Sequence, residues 1–398
     1  MRIPLNKSTL GQEEIDAAKA VLDSGYFTMG RLVLDFERAV ADYLGVKNAV
    51  MVNSGSSANL LALFAAANPM LPADGALPPR LKAGSEVIVP ALTWSTTIWP
   101  VIQAGAKPVF VDSDPETLQM TPAAVEAAIT PNTAGIFIVH VLGGAVDMTA
   151  MEALAKKHNL WLLEDTCESF GVDWKGRKVG TFGQIGTYSF YFSHHITTIE
   201  GGMAVTDDDG LADLMRAMRA HGWIRQMETK DAQAAQHSSI DPRFLFITTG
   251  FNLRPTEINA AIGLEQLKRI EGFNDTRRKV AARLDHGLAR LKQSGDLTLI
   301  RHHPDVHAAP FGYTVLCASR EARDGLQRHL EAAEIETRPV IAGNLTRQPA
   351  LDHFAYRISG ELSGADRVMD CGIYWGTHPV MSDEEVDYII QTVDEYFR

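Results

Sequence analysis

Along the first half of the chain, short apolar runs take turns with helix-periodic segments. "NAVMV" is followed by "ANLLALFAAA", then by "SEVIVP", "KPVFVD" and "AGIFIVHV", the helical "MEALAKKH" and the apolar "LWLLED". The strand-like runs are apolar throughout instead of at alternate positions, so both of their faces must be covered. Strands of that kind, each followed by a helix, specify a mostly parallel sheet with helices on both sides, which is an α/β architecture. With 398 residues, 45% of them hydrophobic and 22% charged, the chain is long enough for two domains with sizeable cores. Beyond "EINAAIGLEQLKRI" the regular alternation gives way to scattered strands and helices. The reading is therefore a large domain over residues 1–270, including the N-terminal segment, and a smaller C-terminal α/β domain over 271–398. Leu71 to Gly84, rich in Pro and Gly, reads as a loop. The polar stretch from Gln226 to Arg243 reads as a weakly structured insertion, with a lid as the alternative.

Charge narrows the function. A formal net charge of -12, with no cluster of Lys and Arg, disfavours nucleic acid, because polyanion binding depends on basic residues that release counterions. Cys167, Cys317 and Cys371 are far apart in sequence and show no CxxC spacing, which suggests neither a disulfide framework nor a zinc site and fits reduced cytosol. The start "MRIPLNKSTL" lacks a signal-peptide core, and no run of 18 apolar residues is present to span a membrane. A cytoplasmic protein with no membrane partner is expected.

Four stretches at predicted strand ends carry chemistry. "NSGSSAN", Asn53 to Asn59, lies between a strand and a helix, where free N–H groups and the helix dipole favour a phosphate; an ordinary serine-capped turn has the same appearance. Asp165 directly follows "LWLL", at the carboxyl end where open α/β sheets bind ligands; it reads as a partner for a cofactor's ring nitrogen or as a solvated loop acid. Trp94 in "PALTWSTT" offers an indole to stack on a flat ring, or a buried structural tryptophan. The fourth is "SFYFSHHITTIEGG", with His194 and His195 adjacent. In an extended segment they point to opposite faces, so they are not a chelating pair.

Phosphate cradle, ring stacker, ring-nitrogen acid and reactive side chain, in that order, outline a pyridoxal phosphate site. From about Leu22 to the C-terminus the sequence resembles the sugar aminotransferase family of the aspartate-aminotransferase fold (fold type I). The resemblance is carried by "FVDSDPETL", "HVLGGAVDM", "EDTCESFG", "EGGMAVTDD" and "GFNLRPTEINAAIGLEQL". Members of the family normally carry, at the position of His194, the lysine that holds the cofactor covalently. This chain has no lysine between Lys178 and Lys230. An imidazole moves protons near neutral pH but forms no such linkage.

Among relatives, that replacement marks PMP-dependent sugar 3-dehydratases. One kind adds a cysteine-ligated [2Fe–2S] cluster; the other has none, and three dispersed cysteines do not supply four thiolates. "LDSGYFTMG", "WSTT", "SHHI", "RAHGW" and "RPVIAGN" are similar to the cluster-free kind. The resemblance implies removal of the C3 hydroxyl from a nucleotide-linked 4-keto-6-deoxy sugar, GDP-4-keto-6-deoxy-mannose foremost, with His194 as base and acid. Pyridoxamine/pyridoxal 5'-phosphate is the implied cofactor, glutamate the amino donor, and no metal is expected. Carried over by position, Gly55, Ser56 and Ser189 hold the phosphate, Asp165 the ring nitrogen and Glu168 the ring hydroxyl. Asn252 reaches the phosphate of the neighbouring subunit, so a homodimer with its site at the interface is implied. His195 is read as structural. His221 either touches the sugar or packs beside Trp223, and Arg219, Arg225 and Arg338 either hold the diphosphate or form salt bridges. An aminotransferase that has lost its lysine and a non-catalytic nucleotide-sugar binding protein are the alternatives.

Overall fold

The computed structural model describes residues 1–71 and 75–398. In the order of the chain, the strands of the first part are β1 (Asn48–Val52), β2 (Glu86–Pro90), β3 (Lys107–Val111), β4 (Thr133–Val139), β5 (Trp161–Asp165), β6 (Asp173–Trp174), β7 (Arg177–Lys178), β8 (Ile185–Ser189) and β9 (Gly202–Thr206). The second part adds β10 (Leu297–Leu299), β11 (Val306–His307), β12 (Gly312–Cys317), β13 (Thr337–Arg338), β14 (Arg357–Ile358) and β15 (Gly372–Gly376). The main sheet runs β1-β9-β8-β5-β4-β2-β3-β14. Only β9 is reversed, pairing antiparallel with both β1 and β8, while the remaining pairings are parallel. The carboxyl ends of β1, β2, β4, β5 and β8 therefore open at the same edge. The continuous apolar runs explain the sheet, since every residue of β2, β5, β8 and β9 is buried, as is nearly all of β1 and β3.

The helices begin with α1 (Gln12–Ser24), α2 (Arg31–Leu44), α3 (Gly55–Ala66) and α4 (Ser95–Gln103). Eight of the twelve residues of α3 are buried, because it crosses one face of the sheet beneath α4, and its Ala/Leu composition permits that close approach. The smaller sheet, β10-β12-β15-β13, is antiparallel and packs on the helices Ile270–Gly287, Arg320–Ala332 and Asp383–Tyr396 around a second core. Ile3 belongs to that second core and pairs with Ile335, whereas β14 extends the large sheet. Among the described residues, no helix is long and apolar enough to cross a membrane.

Of the loop expected over 71–84, residues 72–74 lie outside the described residues, and the others form no helix or strand. The stretch Gln226 to Arg243 differs from its reading as weakly structured: it holds a helix over Lys230–Gln236 and a short turn of 3-10 helix at either end. Its anchor is Asp213, a buried carboxylate that accepts hydrogen bonds from the Glu228 and Thr229 N–H groups and the Thr229 hydroxyl. That anchor lies outside the segment, in the preceding helix, so the polarity of the segment alone misleads here.

Candidate active site

A cavity of about 620 Å³ opens at the carboxyl edge of the large sheet, roofed by the smaller domain. The turn after β1 brings Gly55 and Ser56, the turn after β2 brings Trp94, and β5 and the turn after it bring Asp165 and Glu168. The end of β8 and the turns after it bring Ser189 and His194, so these seven residues read from the sequence as site residues, with Arg338 as the eighth, line one cavity. Phe311 and Tyr374 complete the roof and carry no motif of their own, and Ile341 joins them from "RPVIAGN".

The first turn of α3 is shaped for an anion. Ser54 caps it by accepting from Ser57 N–H, and the earlier N–H groups of Gly55 and Ser56 have no acceptor within the helix. Glycine is required at 55, where an added Cβ would stand 2.5 Å from Ser189 Cβ and 2.8 Å from Cys167 Sγ. Ser189 Oγ already accepts from Tyr191 N–H, so its proton is free to point at a phosphate. Beside it, Asp165 is buried with three donors around it: Asn59 Nδ2 and Thr97 Oγ at Oδ2, and Cys167 N–H at Oδ1. The half-exposed Trp94 lies directly before α4. Phosphate cradle, indole and carboxylate thus fit a pyridoxal phosphate-type cofactor.

His194 and His195 do not sit in a strand. The chain from Tyr191 to Ser193 turns, and one aromatic ring, Phe311, lies against both imidazoles, at 5.1 Å from His194 and 5.8 Å from His195. Their hydrogen bonds separate them. His194 Nδ1 is 2.7 Å from the Cys167 carbonyl, and His195 Nε2 is 2.8 Å from the Ala309 carbonyl. A carbonyl only accepts, so each of those nitrogens carries the proton. Burial pushes the His194 pKa down to about 4, against the opposing pull of the Cys167 carbonyl and Asp165. The neutral ring therefore holds its proton on Nδ1 and has its lone pair on Nε2, the state of a base. Burial also raises Glu168 to about 7, opposed by the Leu142 N–H that it accepts and reinforced by Asp165.

These shifts have a consequence for stability. Burial lowers His194 and His378 to about 4 and holds His195 well below the usual imidazole range. Between pH 6.5 and 4 the unfolded chain then binds more protons at these rings than the folded one, so stability falls as pH falls through that window. Glu168, Glu152 and Asp285, raised in the fold by burial, act in the opposite sense, while His302, also lowered by burial, acts with the three histidines. Urea midpoints of the cofactor-free protein are expected to decline from pH 6.5 to 4.5; a rise would contradict the neutral, buried histidines.

Other residues read from the sequence lie elsewhere. Arg219 is a correction: it is fully buried and paired with Glu37 and the Met51 carbonyl, so it cannot face a diphosphate. Arg225 lies over Trp223 in a separate cleft with Thr28, Met29 and Arg254. His221 is exposed, in a left-handed backbone conformation (φ 66°), and its ring does not line the His194 cavity. Asn252 is exposed outside that cavity, its Oδ1 accepting from Arg254 Nε. Arg338 is inside it, paired with Glu336.

A model of the DegT/DnrJ/EryC1/StrS aminotransferase family matches residues 8–394. The GDP-4-keto-6-deoxy-D-mannose 3-dehydratase of Yersinia pseudotuberculosis is 37% identical, over 97% of this chain and 96% of that protein. A mutant of GDP-4-keto-6-deoxymannose-3-dehydratase crystallised with bound GDP-perosamine superposes with a TM-score of 0.89 at 35% identity, covering 98% of this chain and all of the other. The same dehydratase with a trapped PLP-glutamate geminal diamine gives 0.88 at 34% identity, over 98% and 100% of the two chains. Sequence and fold agree over nearly the whole length, and the chain belongs to the DegT/DnrJ/EryC1/StrS aminotransferase family.

Proposed function

We propose that this protein is a PMP-dependent 3-dehydratase that removes the C3 hydroxyl of a nucleotide-linked 4-keto-6-deoxy sugar, GDP-4-keto-6-deoxy-D-mannose in the first instance. The observation that carries the reading is a neutral histidine, its Nδ1–H tied to the Cys167 carbonyl, in a cavity where no lysine lines the wall among the described residues. Bound there, the cofactor would supply an amino group that joins the sugar ketone and a protonated ring that accepts electrons. The protein supplies the rest. The first turn of α3 and Ser189 would hold the phosphate, Asp165 the ring nitrogen and Glu168 the ring hydroxyl, all of them lining the cavity. His194 Nε2 takes a proton beside the reacting carbon and returns it to the departing C3 hydroxyl. The burial that lowers its pKa to about 4 keeps the proton loosely held and favours that return.

The balance closes without a separate reductase. Replacing C3–O by C3–H consumes an electron pair, and oxidation of glutamate to 2-oxoglutarate with release of ammonia provides it. A second copy of the chain completes the site in this reading. Asn252 is exposed outside its own cavity, and Tyr26, Phe27, Phe192 and Ile199 present exposed apolar surface for a partner. Three unpaired thiols fit a cytoplasmic setting.

The test supplies GDP-4-keto-6-deoxy-D-mannose, PMP and glutamate, and measures product mass and ammonia. One ammonia and one 2-oxoglutarate per sugar, with loss of the C3 oxygen, are expected. A 4-amino sugar that keeps its C3 hydroxyl would instead identify an aminotransferase.

A further inference from the structure

Behind Asp165 lies a set of fully buried polar side chains that do not themselves carry out proton transfer. Asn59, one turn into α3, donates through Nδ2 to Asp165 Oδ2 at 2.7 Å and to the Thr96 carbonyl at 3.2 Å. Thr97, in α4, donates to the same Oδ2 at 2.8 Å. Thr187, in β8, bonds Asn59 Oδ1, and Thr93 bonds Thr97 at 2.8 Å. All four residues are 1% exposed or less. The directions are fixed by elimination. A carboxylate and a carbonyl only accept, so Asn59 must present its amide nitrogen to both, and its oxygen accepts from the Thr187 hydroxyl, which also lies 3.1 Å from the Glu164 carbonyl. Thr97 spends its single proton on Asp165, so Thr93 must donate to it. Oδ2 thereby takes two side-chain donors, whereas Oδ1 meets the Cys167 peptide N–H at 3.1 Å, and the Cys167 thiol also hydrogen-bonds this carboxylate.

We infer that Asn59 and Thr97 are a positioning pair that turns Asp165 Oδ1 toward the cofactor's ring nitrogen and locks the phosphate-bearing helix, the Trp94-bearing helix and strand β5 into one unit. The inference rests on the cofactor placement proposed above. Asn59 sits four residues after Gly55, and Thr97 three after Trp94. Each helix start thus offers one residue to the cofactor site and, a turn later, one to the acid. A change in either donor frees the carboxylate to rotate and moves the ring relative to the phosphate.

The experiment uses the full-length apoprotein and Thr97→Val, which keeps the shape and removes the donor. PLP affinity is read by absorbance titration with no sugar present, and kcat and KM are measured separately where turnover is found. Thr97→Val is expected to weaken PLP binding about tenfold and to lower kcat about 10–100-fold with KM for the sugar unchanged, as for a misplaced catalytic contact. Thr97→Ser, which restores the donor, is expected to recover affinity to within about threefold of wild type. Should Thr97→Val not fold, Thr97→Ala, which cannot overfill the site, replaces it. Native PLP affinity in the variant lacking the hydroxyl, or equal loss in Thr97→Ser, would overturn the inference. Because the titration needs no nucleotide sugar, failure to dehydrate any sugar would count against the proposed function and leave this result standing.

Discussion

Replacing His194 by Asn is expected to lower dehydration by about 10²–10⁴-fold in kcat, the range carried by a single general acid–base group, while cofactor affinity stays near wild type. Asparagine keeps a polar side chain of modest size but has no titratable nitrogen, so it cannot return a proton to the leaving hydroxyl. His195→Asn should behave differently. That ring is buried with Nε2 on the Ala309 carbonyl, and its loss should appear as a lower urea midpoint before it appears in turnover. His194→Lys gives a third readout, since an amine at this place can be fixed to PLP by borohydride, whereas the wild-type protein should retain no cofactor after the same treatment. Near-normal turnover in His194→Asn together with its loss in a stably folded His195→Asn would mean that the wrong imidazole had been assigned.

The elements legible in the sequence are those whose signal is local. Apolar runs announce β1 to β5, and the turn chemistry of "NSGSSAN" together with the acid ending "LWLLED" places Gly55 and Asp165 on a common edge, because the ends of parallel strands are also where their connecting turns lie. What is not legible depends on partners distant in the chain. Phe311 and Tyr374 reach the cavity only because the smaller domain folds over it, and neither stands in a recognisable motif. The geometry of His194 and His195 departs from strand alternation, since a turn after Ser189 replaces the extended backbone. Asn59 has the look of a helix residue with no special task until Asp165, 106 positions later, is seen against it. Arg219 is the sharpest case. A long cation near a predicted ligand site invites a phosphate, and its real partner stands 182 residues earlier.

That partner sets the second large effect. Arg219 ends the helix Asp209–Arg219 and is wholly buried, with Nη1 on Glu37 Oε1 and on the Met51 carbonyl. Glu37 Oε1 also accepts the Met51 N–H at 2.7 Å, so one carboxylate ties α2, β1 and the Asp209–Arg219 helix together. Arg219 Nε and Nη2 have no hydrogen-bond partner among the described residues, so Glu37 is the main compensation for its charge. Glu37→Ala removes that compensation without removing the cation, and a buried, unpaired charge of this kind costs about 3–5 kcal/mol of stability. The double change Glu37→Leu with Arg219→Met removes both charges and fills the space with apolar volume, so it should recover most of the loss. Urea unfolding of the three proteins decides the point. Because β1 leads straight into the Ser54–Ser56 turn, the single variant should also bind PLP more weakly, and the double variant less so. If Glu37→Ala cost under about 1 kcal/mol, as exposed pairs do, the Arg219 side chain would have to reach water in solution, and the pair would be no anchor for the cofactor-binding edge of the sheet.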